Sequence, residues 1–122
     1  MATVLLIADD DWVRNDVEAA LSGPRRTITT VADPREAVGA AAAAEPAAIL
    51  IDMQVGSMGG MAVVRACKDA IAAGQIAEAP LILLLDRTAD VFLADRSGAD
   101  EWVTKPFTAQ DLRAVVPTGS SV

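Results

Sequence analysis

Short apolar runs alternate along the chain with longer segments in which apolar residues recur at helical spacing. The runs predict strands at residues 4–8, 27–32, 48–51, 81–85 and 101–104. Most of them show no alternation of apolar and polar residues, which is typical of parallel strands covered on both faces. The pattern therefore predicts five βα units and a doubly wound, parallel, five-stranded α/β sheet.

The segments between the runs have recognisable helix boundaries. They predict helices at residues 11–21, 35–44, 61–73, 88–96 and 108–116. Asp33 and Pro34 form an N-cap followed by proline at the first helical position. Thr88 and Thr108 are the simplest caps for the last two helices. Residues 1–117 are expected to form one domain, and residues 118–122 a C-terminal tail or linker stub.

Composition and charge narrow the class of protein. The 122 residues carry a net charge of −7 and no histidine, so Ser-His and Cys-His catalysis and histidine-ligated metals are excluded. The acidic balance also disfavours direct nucleic-acid binding. No apolar run is long enough to cross a membrane, and the absence of a basic leader favours a cytoplasmic location. Cys67, in an apolar helical pattern, is expected to be a core residue.

Charged residues follow three of the predicted strands. Asp9, Asp10 and Asp11 end the first strand, Asp52 ends the third, and Lys105 follows the fifth. If the strand order is 2-1-3-4-5, the first and third strands flank the switch point, where ligands bind beyond the carboxyl ends. Two carboxylates 4 Å apart repel by about 4 kcal/mol at an effective dielectric constant near 20. The cluster therefore favours a bound cation, and oxygen donors alone suit Mg²⁺.

Each of these residues also has a simpler structural explanation. Asp11 would cap the first helix, Asp52 would be an ordinary residue after a strand, and Lys105 would be a surface lysine. Trp12 and Trp102 would belong to the core or its rim. Taken together, however, an aspartate beside Mg²⁺ and a lysine can act as a nucleophile and form an aspartyl phosphate.

Four segments carry a resemblance to a known family. They are residues 5–14, 49–53, 57–61 and 97–107, in that order. They resemble the receiver domain of bacterial response regulators, the CheY-like family, over about residues 3–117. The resemblance implies a (βα)5 flavodoxin-like fold with strand order 2-1-3-4-5.

The resemblance also implies a role for each matched position. Asp52 would accept a phosphoryl group, and Lys105 would contact the phosphoryl oxygens. Asp10 would bind Mg²⁺ directly, and Asp9 would bind it largely through water. Asp52 and the backbone carbonyl of Gln54 would complete the protein ligands of the ion.

Three positions differ from the family's usual residues, and two of them, Leu85 and Trp102, belong to its switch. Leu85 stands where the family has Ser or Thr, whose hydroxyl bonds the phosphoryl group. Trp102 stands at the switch aromatic, usually Tyr or Phe, and Gly56 replaces a usual Pro. The resemblance thus implies phosphoryl acceptance more directly than it implies the usual coupling to a partner.

The implied function is that of a two-component or phosphorelay receiver. A histidine kinase or phosphotransfer protein would donate the phosphoryl group. The readout would be an unidentified downstream protein, a homodimer or another relay chain, without direct contact to nucleic acid or membrane. The chain would not be an enzyme beyond its own phosphoryl transfer and autodephosphorylation.

Three alternatives remain open from the residues. Leu85 and Gly56 fit an atypical receiver-like interaction module that acts independently of phosphorylation. A Mg²⁺-dependent phosphohydrolase would use Asp52 as nucleophile, but such enzymes need a second Asp where this chain has Gln54. The carboxylates could also be no more than helix caps on a widely used fold.

Overall fold

Five parallel strands form one sheet in the order β2-β1-β3-β4-β5. The computed structural model describes residues 2–56 and 59–117, so the predicted tail at 118–122, and Ser57 and Met58 of the matched segment 57–61, lie outside the described residues. The strands are β1 (Ala2–Ile7), β2 (Arg26–Val31), β3 (Ala48–Asp52), β4 (Leu81–Leu85) and β5 (Glu101–Thr104). The predicted fold class and strand order are confirmed.

Within residues 2–56 and 59–117, five α-helices connect or follow the strands. They are α1 (Asp11–Leu21), α2 (Ala37–Ala44), α3 (Gly60–Ala72), α4 (Val91–Ser97) and α5 (Ala109–Val115). Short 3-10 turns, Pro34–Glu36 and Thr88–Asp90, lead into α2 and α4, where the sequence predicted α-helix from the start. Tight turns of this kind are common at helix ends because they satisfy backbone groups that lack an α-helical partner.

The two predicted threonine caps have different outcomes. The Thr108 hydroxyl accepts a hydrogen bond from the Asp111 amide at 3.0 Å, so this prediction is confirmed. Thr88 is not a cap, because it is the first residue of the 3-10 turn. The residue before it, Arg87, donates its amide to the Asp90 carboxylate at 3.2 Å instead.

Two apolar layers cover the sheet. Alternate strand residues point to opposite faces, so each buried strand contributes to both layers. One layer holds buried residues of α2, α3 and α4. It includes Cys67, which is fully buried as predicted. The other layer holds buried residues of α1 and α5.

The register brings the carboxyl ends of the strands to one edge. Ile7 of β1 pairs with Ile51 of β3, and Leu85 of β4 pairs with Thr104 of β5. Chain segments that follow β1, β3, β4 and β5 therefore emerge side by side, and β1 and β3 flank the switch point. Within the described ranges, none of the helices has the length and apolar character needed to cross a bilayer.

Candidate functional site

A buried ion pair lies at this edge of the sheet. Asp52, the last residue of β3, is only 1% exposed, and its Oδ1 lies 2.6 Å from Lys105 Nζ. The Lys105 amide donates to the Leu85 carbonyl at 2.7 Å, which continues the β4–β5 pairing by one residue beyond β5. The sheet therefore fixes the Lys105 backbone beside β4, which lies between β5 and β3, and the lysine side chain reaches across to Asp52.

Asp86 is a second carboxylate on the same ammonium. Its Oδ1 lies 2.9 Å from Lys105 Nζ, and its side chain is 31% exposed. The sequence pattern did not predict this contact, because at the end of β4 the resemblance involves Leu85 and not Asp86. Its position in the sequence could have predicted it. Asp86 directly follows β4, just as the other carboxylates of the site lie at or just after the end of a strand.

The two carboxylates decide the charge state of Lys105. Burial alone lowers the pKa of an ammonium, but hydrogen bonds and charge attraction from Asp52 and Asp86 outweigh it and raise the pKa of Lys105 above its usual value. Lys105 therefore stays an ammonium at neutral pH. It can act as a point charge for an anion, but it cannot act as a base.

The acidic residues after β1 have separate roles in this structure. Asp10 Oδ1 accepts from the Trp12 amide at 2.8 Å and caps α1. The prediction that Asp11 is the cap is wrong, since Asp11 lies in the first helical turn and pairs with Arg14. Asp10 precedes the helix with φ −93° and ψ 122°, which is the extended backbone that a cap requires.

Asp9 is tied across the crevice to the segment after β3. Its Oδ2 accepts from the Gly56 amide at 3.0 Å. Gly56 has φ 52°, in the left-handed region. Proline could supply neither the amide hydrogen nor this conformation. A proline at position 56, as the resemblance would imply, would therefore remove this bond.

The predicted metal ligands are oxygen donors suited to Mg²⁺, but they do not converge on one point. The carboxyl ends of β1 and β3 carry three carboxylates, those of Asp9, Asp10 and Asp52. The Gln54 amide donates to Asp52 Oδ1 at 3.3 Å, so the Gln54 backbone lies beside that carboxylate. Across residues 2–56 and 59–117, no three acidic, cysteine or histidine side chains converge as a ready metal site. Each carboxylate offers about four acceptor positions, so the bonds described leave acceptor capacity. Such oxygen donors fit Mg²⁺, which usually keeps several waters.

Leu85 and Trp102, the two positions assigned to the switch, lie on the same face of the sheet. Leu85 is fully buried in the layer formed with α2, α3 and α4. Trp102 is partly buried and packs against that layer. The Leu85 side chain therefore contributes apolar packing and brings no hydroxyl to the site.

Trp12 is not a core residue, because 79% of it is exposed. Val13 and Val17 occupy the buried face of α1, so the helical period turns Trp12 outward. Trp12 lines a groove together with Phe107, Asp86 and Lys105. Trp12 is therefore a rim residue of the site.

Comparison with known proteins agrees with this geometry. The family model described as the response regulator receiver domain matches residues 4–117. The chain belongs to this family. Receiver domains are signalling domains of two-component systems and not conventional enzymes, which counts against the phosphohydrolase alternative.

Curated relatives are longer proteins. The transcriptional regulatory protein CseB of Streptomyces avermitilis is 32% identical over 113 residues, which cover 91% of this chain and 46% of CseB. The DNA-binding response regulator MtrA of Mycolicibacterium smegmatis is 28% identical over 115 residues, 93% of this chain and 48% of MtrA. This receiver domain spans about half the length of the curated relatives it matches.

Solved structures share the fold over nearly the whole chain. The chemotaxis protein CheY4 of Vibrio cholerae is 28% identical with a TM-score of 0.78, over 93% of this chain and 94% of CheY4. The receiver domain of the sensor histidine kinase PA1611 from Pseudomonas aeruginosa is 25% identical with a TM-score of 0.78, over 93% of each chain. That structure carries a magnesium ion coordinated in its active-site cleft.

Proposed function

We propose that this receiver domain accepts a phosphoryl group on Asp52, with Mg²⁺, from a histidine kinase or phosphotransfer protein. The observation that carries the proposal is the 2.6 Å ion pair between Asp52 and Lys105 beside the acidic residues that follow β1. A carboxylate and an ammonium held together at a switch point are suited to bind and receive an anionic group. The magnesium in the related PA1611 receiver supports the same chemistry.

The residues would divide the transfer between them. A carboxylate oxygen of Asp52 forms a bond to phosphorus while the bond from phosphorus to the donor's histidine nitrogen or phosphate-donor oxygen breaks. Lys105, kept as an ammonium, bonds the transferred oxygens. Asp9, Asp10, Asp52 and the Gln54 carbonyl would hold Mg²⁺, which when bound neutralises charge on the phosphoryl oxygens.

The output is expected to pass through protein contacts. The outer surface of α4 exposes Phe92 and Leu93, two large apolar side chains that suit a protein partner. We infer a downstream protein, a homodimer or another relay chain as the reader. A net charge of −7 argues against contact of these residues with nucleic acid, and a cytoplasmic setting would give access to a kinase.

The test is intact mass after incubation with Mg²⁺ and acetyl phosphate. Wild type should gain one phosphoryl group, and D52N should gain none. D95N, which removes an exposed aspartate from α4, is the matched control and should label like wild type. Labelling that persists in D52N would show that Asp52 is not the acceptor.

A second candidate is an interaction module that acts without phosphorylation. Two observations favour it: Leu85 brings no hydroxyl to the site, and Asp86 already occupies Lys105 at 2.9 Å. Equal partner binding by wild type, D52N and K105A would support this candidate. Loss of binding in D52N would exclude it. Absence of labelling both from acetyl phosphate and from the cognate kinase, with Mg²⁺ binding shown separately, would leave it as the better account.

A further inference from the structure

Asp86 contacts the functional lysine, yet neither the sequence motifs nor the proposed transfer assigns it a role. We propose that Asp86 is a positioning residue that shares the Lys105 ammonium with Asp52 and so restrains the contact between Lys105 and an incoming phosphoryl group. This inference rests on the proposed function of Asp52. It predicts that the residue at position 86 sets how readily the domain is phosphorylated.

Sheet register, and not a chance side-chain conformation, brings the two residues together. Leu85 pairs with Thr104, and the Lys105 amide donates to the Leu85 carbonyl at 2.7 Å. The next residues along the two parallel strands are Asp86 and Lys105, so their backbones run side by side. The side chains then meet with 2.9 Å between Asp86 Oδ1 and Lys105 Nζ.

The ammonium has a limited number of donors. Lys105 carries three N–H groups, and two carboxylates, Asp52 and Asp86, already accept from them. A phosphoryl group adds three acceptor oxygens and a charge of about −1.5 to −2. It must therefore share the ammonium with Asp86, whose own negative charge repels it.

The burial of Leu85 makes this competition more important. A hydroxyl at that position would offer the phosphoryl group a donor of its own, whereas Leu85 is fully buried and apolar. Lys105 therefore carries a larger share of the protein's contact with the transferred oxygens. Whatever holds Lys105 has a correspondingly larger effect on the transfer.

The shared contact can be tested without metal or phosphate. The chain has only two lysines, Lys68 and Lys105, and Lys68 pairs with Asp100 at 3.3 Å. Reductive methylation followed by peptide mass spectrometry gives a rate for each amine, with Lys68 as internal reference. D86N should raise the rate at Lys105 relative to Lys68 by about threefold. An unchanged ratio would overturn the proposal that Asp86 holds Lys105.

The effect on transfer is tested by the initial rate of labelling from acetyl phosphate with Mg²⁺. D86N should label faster than wild type, by about three- to tenfold. D86E should return toward the wild-type rate because it keeps the charge, and D95N controls for net charge. Labelling of D86N that is equal to or slower than that of wild type would overturn the restraining role.

The two assays separate this inference from the proposed function. If neither wild type nor D86N is labelled, acceptance from acetyl phosphate fails and the claimed effect of Asp86 on the rate fails with it. The methylation ratio still decides whether Asp86 shares the lysine. Labelling of D86N alone would support both the acceptor role of Asp52 and the restraint by Asp86.

Discussion

Removing the charge of Lys105 should destabilise the fold, whereas removing the charge of Asp52 should not. Asp52 is 1% exposed, and Lys105 Nζ lies 2.6 Å from it. In K105M the methionine keeps a long apolar side chain but no charge. The Asp52 carboxylate then stays buried beside Asp86 without a cation among the described contacts.

The expected loss follows from the geometry. At 2.6 Å and an effective dielectric constant near 20, the gross attraction is about 6 kcal/mol. Desolvation offsets much of it, and removing one partner of a buried pair typically costs about 3–5 kcal/mol. Because the Lys105 side chain is still 22% exposed, water can partly solvate the crevice, so we expect a loss of about 2 kcal/mol in the free energy of unfolding.

D52N should not lower the free energy of unfolding in the way that K105M does. The amide removes the buried charge, and Lys105 keeps Asp86 as its partner at 2.9 Å. The free energy of unfolding should therefore stay within about 1 kcal/mol of wild type or rise. In the double variant D52N/K105M no unpaired carboxylate is left at position 52, so this variant should be more stable than K105M alone.

Urea denaturation followed by circular dichroism measures these differences. A loss of 2 kcal/mol should lower the urea midpoint of K105M by roughly 1 M. Two results would refute the reasoning: a wild-type midpoint for K105M, or a double variant that is no more stable than K105M. Either would mean that the ion pair contributes nothing to folding.

Two further predictions concern a close backbone approach and a buried thiol. A Cβ added at Gly60 would lie 2.6 Å from the Asp52 carbonyl oxygen. G60A should therefore shift the backbone after β3 and lower both the urea midpoint and the labelling rate. G39A is the control and should lower neither, because a Cβ added at Gly39 would have no atom within 4 Å. Burial raises the pKa of Cys67 from 9.0 to about 11, so the thiol should resist alkylation in the native state at pH 8 and react once unfolded. The pKa of Cys67 is higher in the folded protein than in the unfolded one. The contribution of the neutral thiol to the free energy of unfolding is therefore complete below pH 9.0, and about 2–3 kcal/mol is lost as the pH rises through about 11. C67A should lack this component of the pH dependence, and an equal slope in C67A would contradict the assignment.

The sequence predicted the sheet well because buried parallel strands leave a simple pattern. Residues 81–85 and 101–104 were predicted as strands, and the structure has β4 and β5 at the same bounds. The predicted first helix, residues 11–21, also matches α1. In these segments the apolar pattern agrees with the tertiary packing. The starts at Pro34 and Thr88 were less predictable, since a 3-10 turn and a first α-helical turn share the same residue preferences.

The juxtaposition of Asp52 and Lys105 was also predictable from the chain. Both residues follow apolar runs, and parallel strands bring their carboxyl ends to one edge whatever the packing details. The contact of Asp86 with Lys105 was not predictable in the same way. It depends on how far the β4–β5 register continues beyond the last paired strand residues, Leu85 and Thr104.

What the sequence by itself determined is the order of strands and helices, the family, and the set of carboxylates and the lysine available at the switch point. These follow from periodicity and from residue type, which are local properties. The tertiary structure alone decided that Asp10 and not Asp11 caps α1, that Gly56 binds Asp9, and that Asp86 shares Lys105. Each of these depends on backbone angles or on a neighbour distant in the chain, and a pattern of residue types specifies neither.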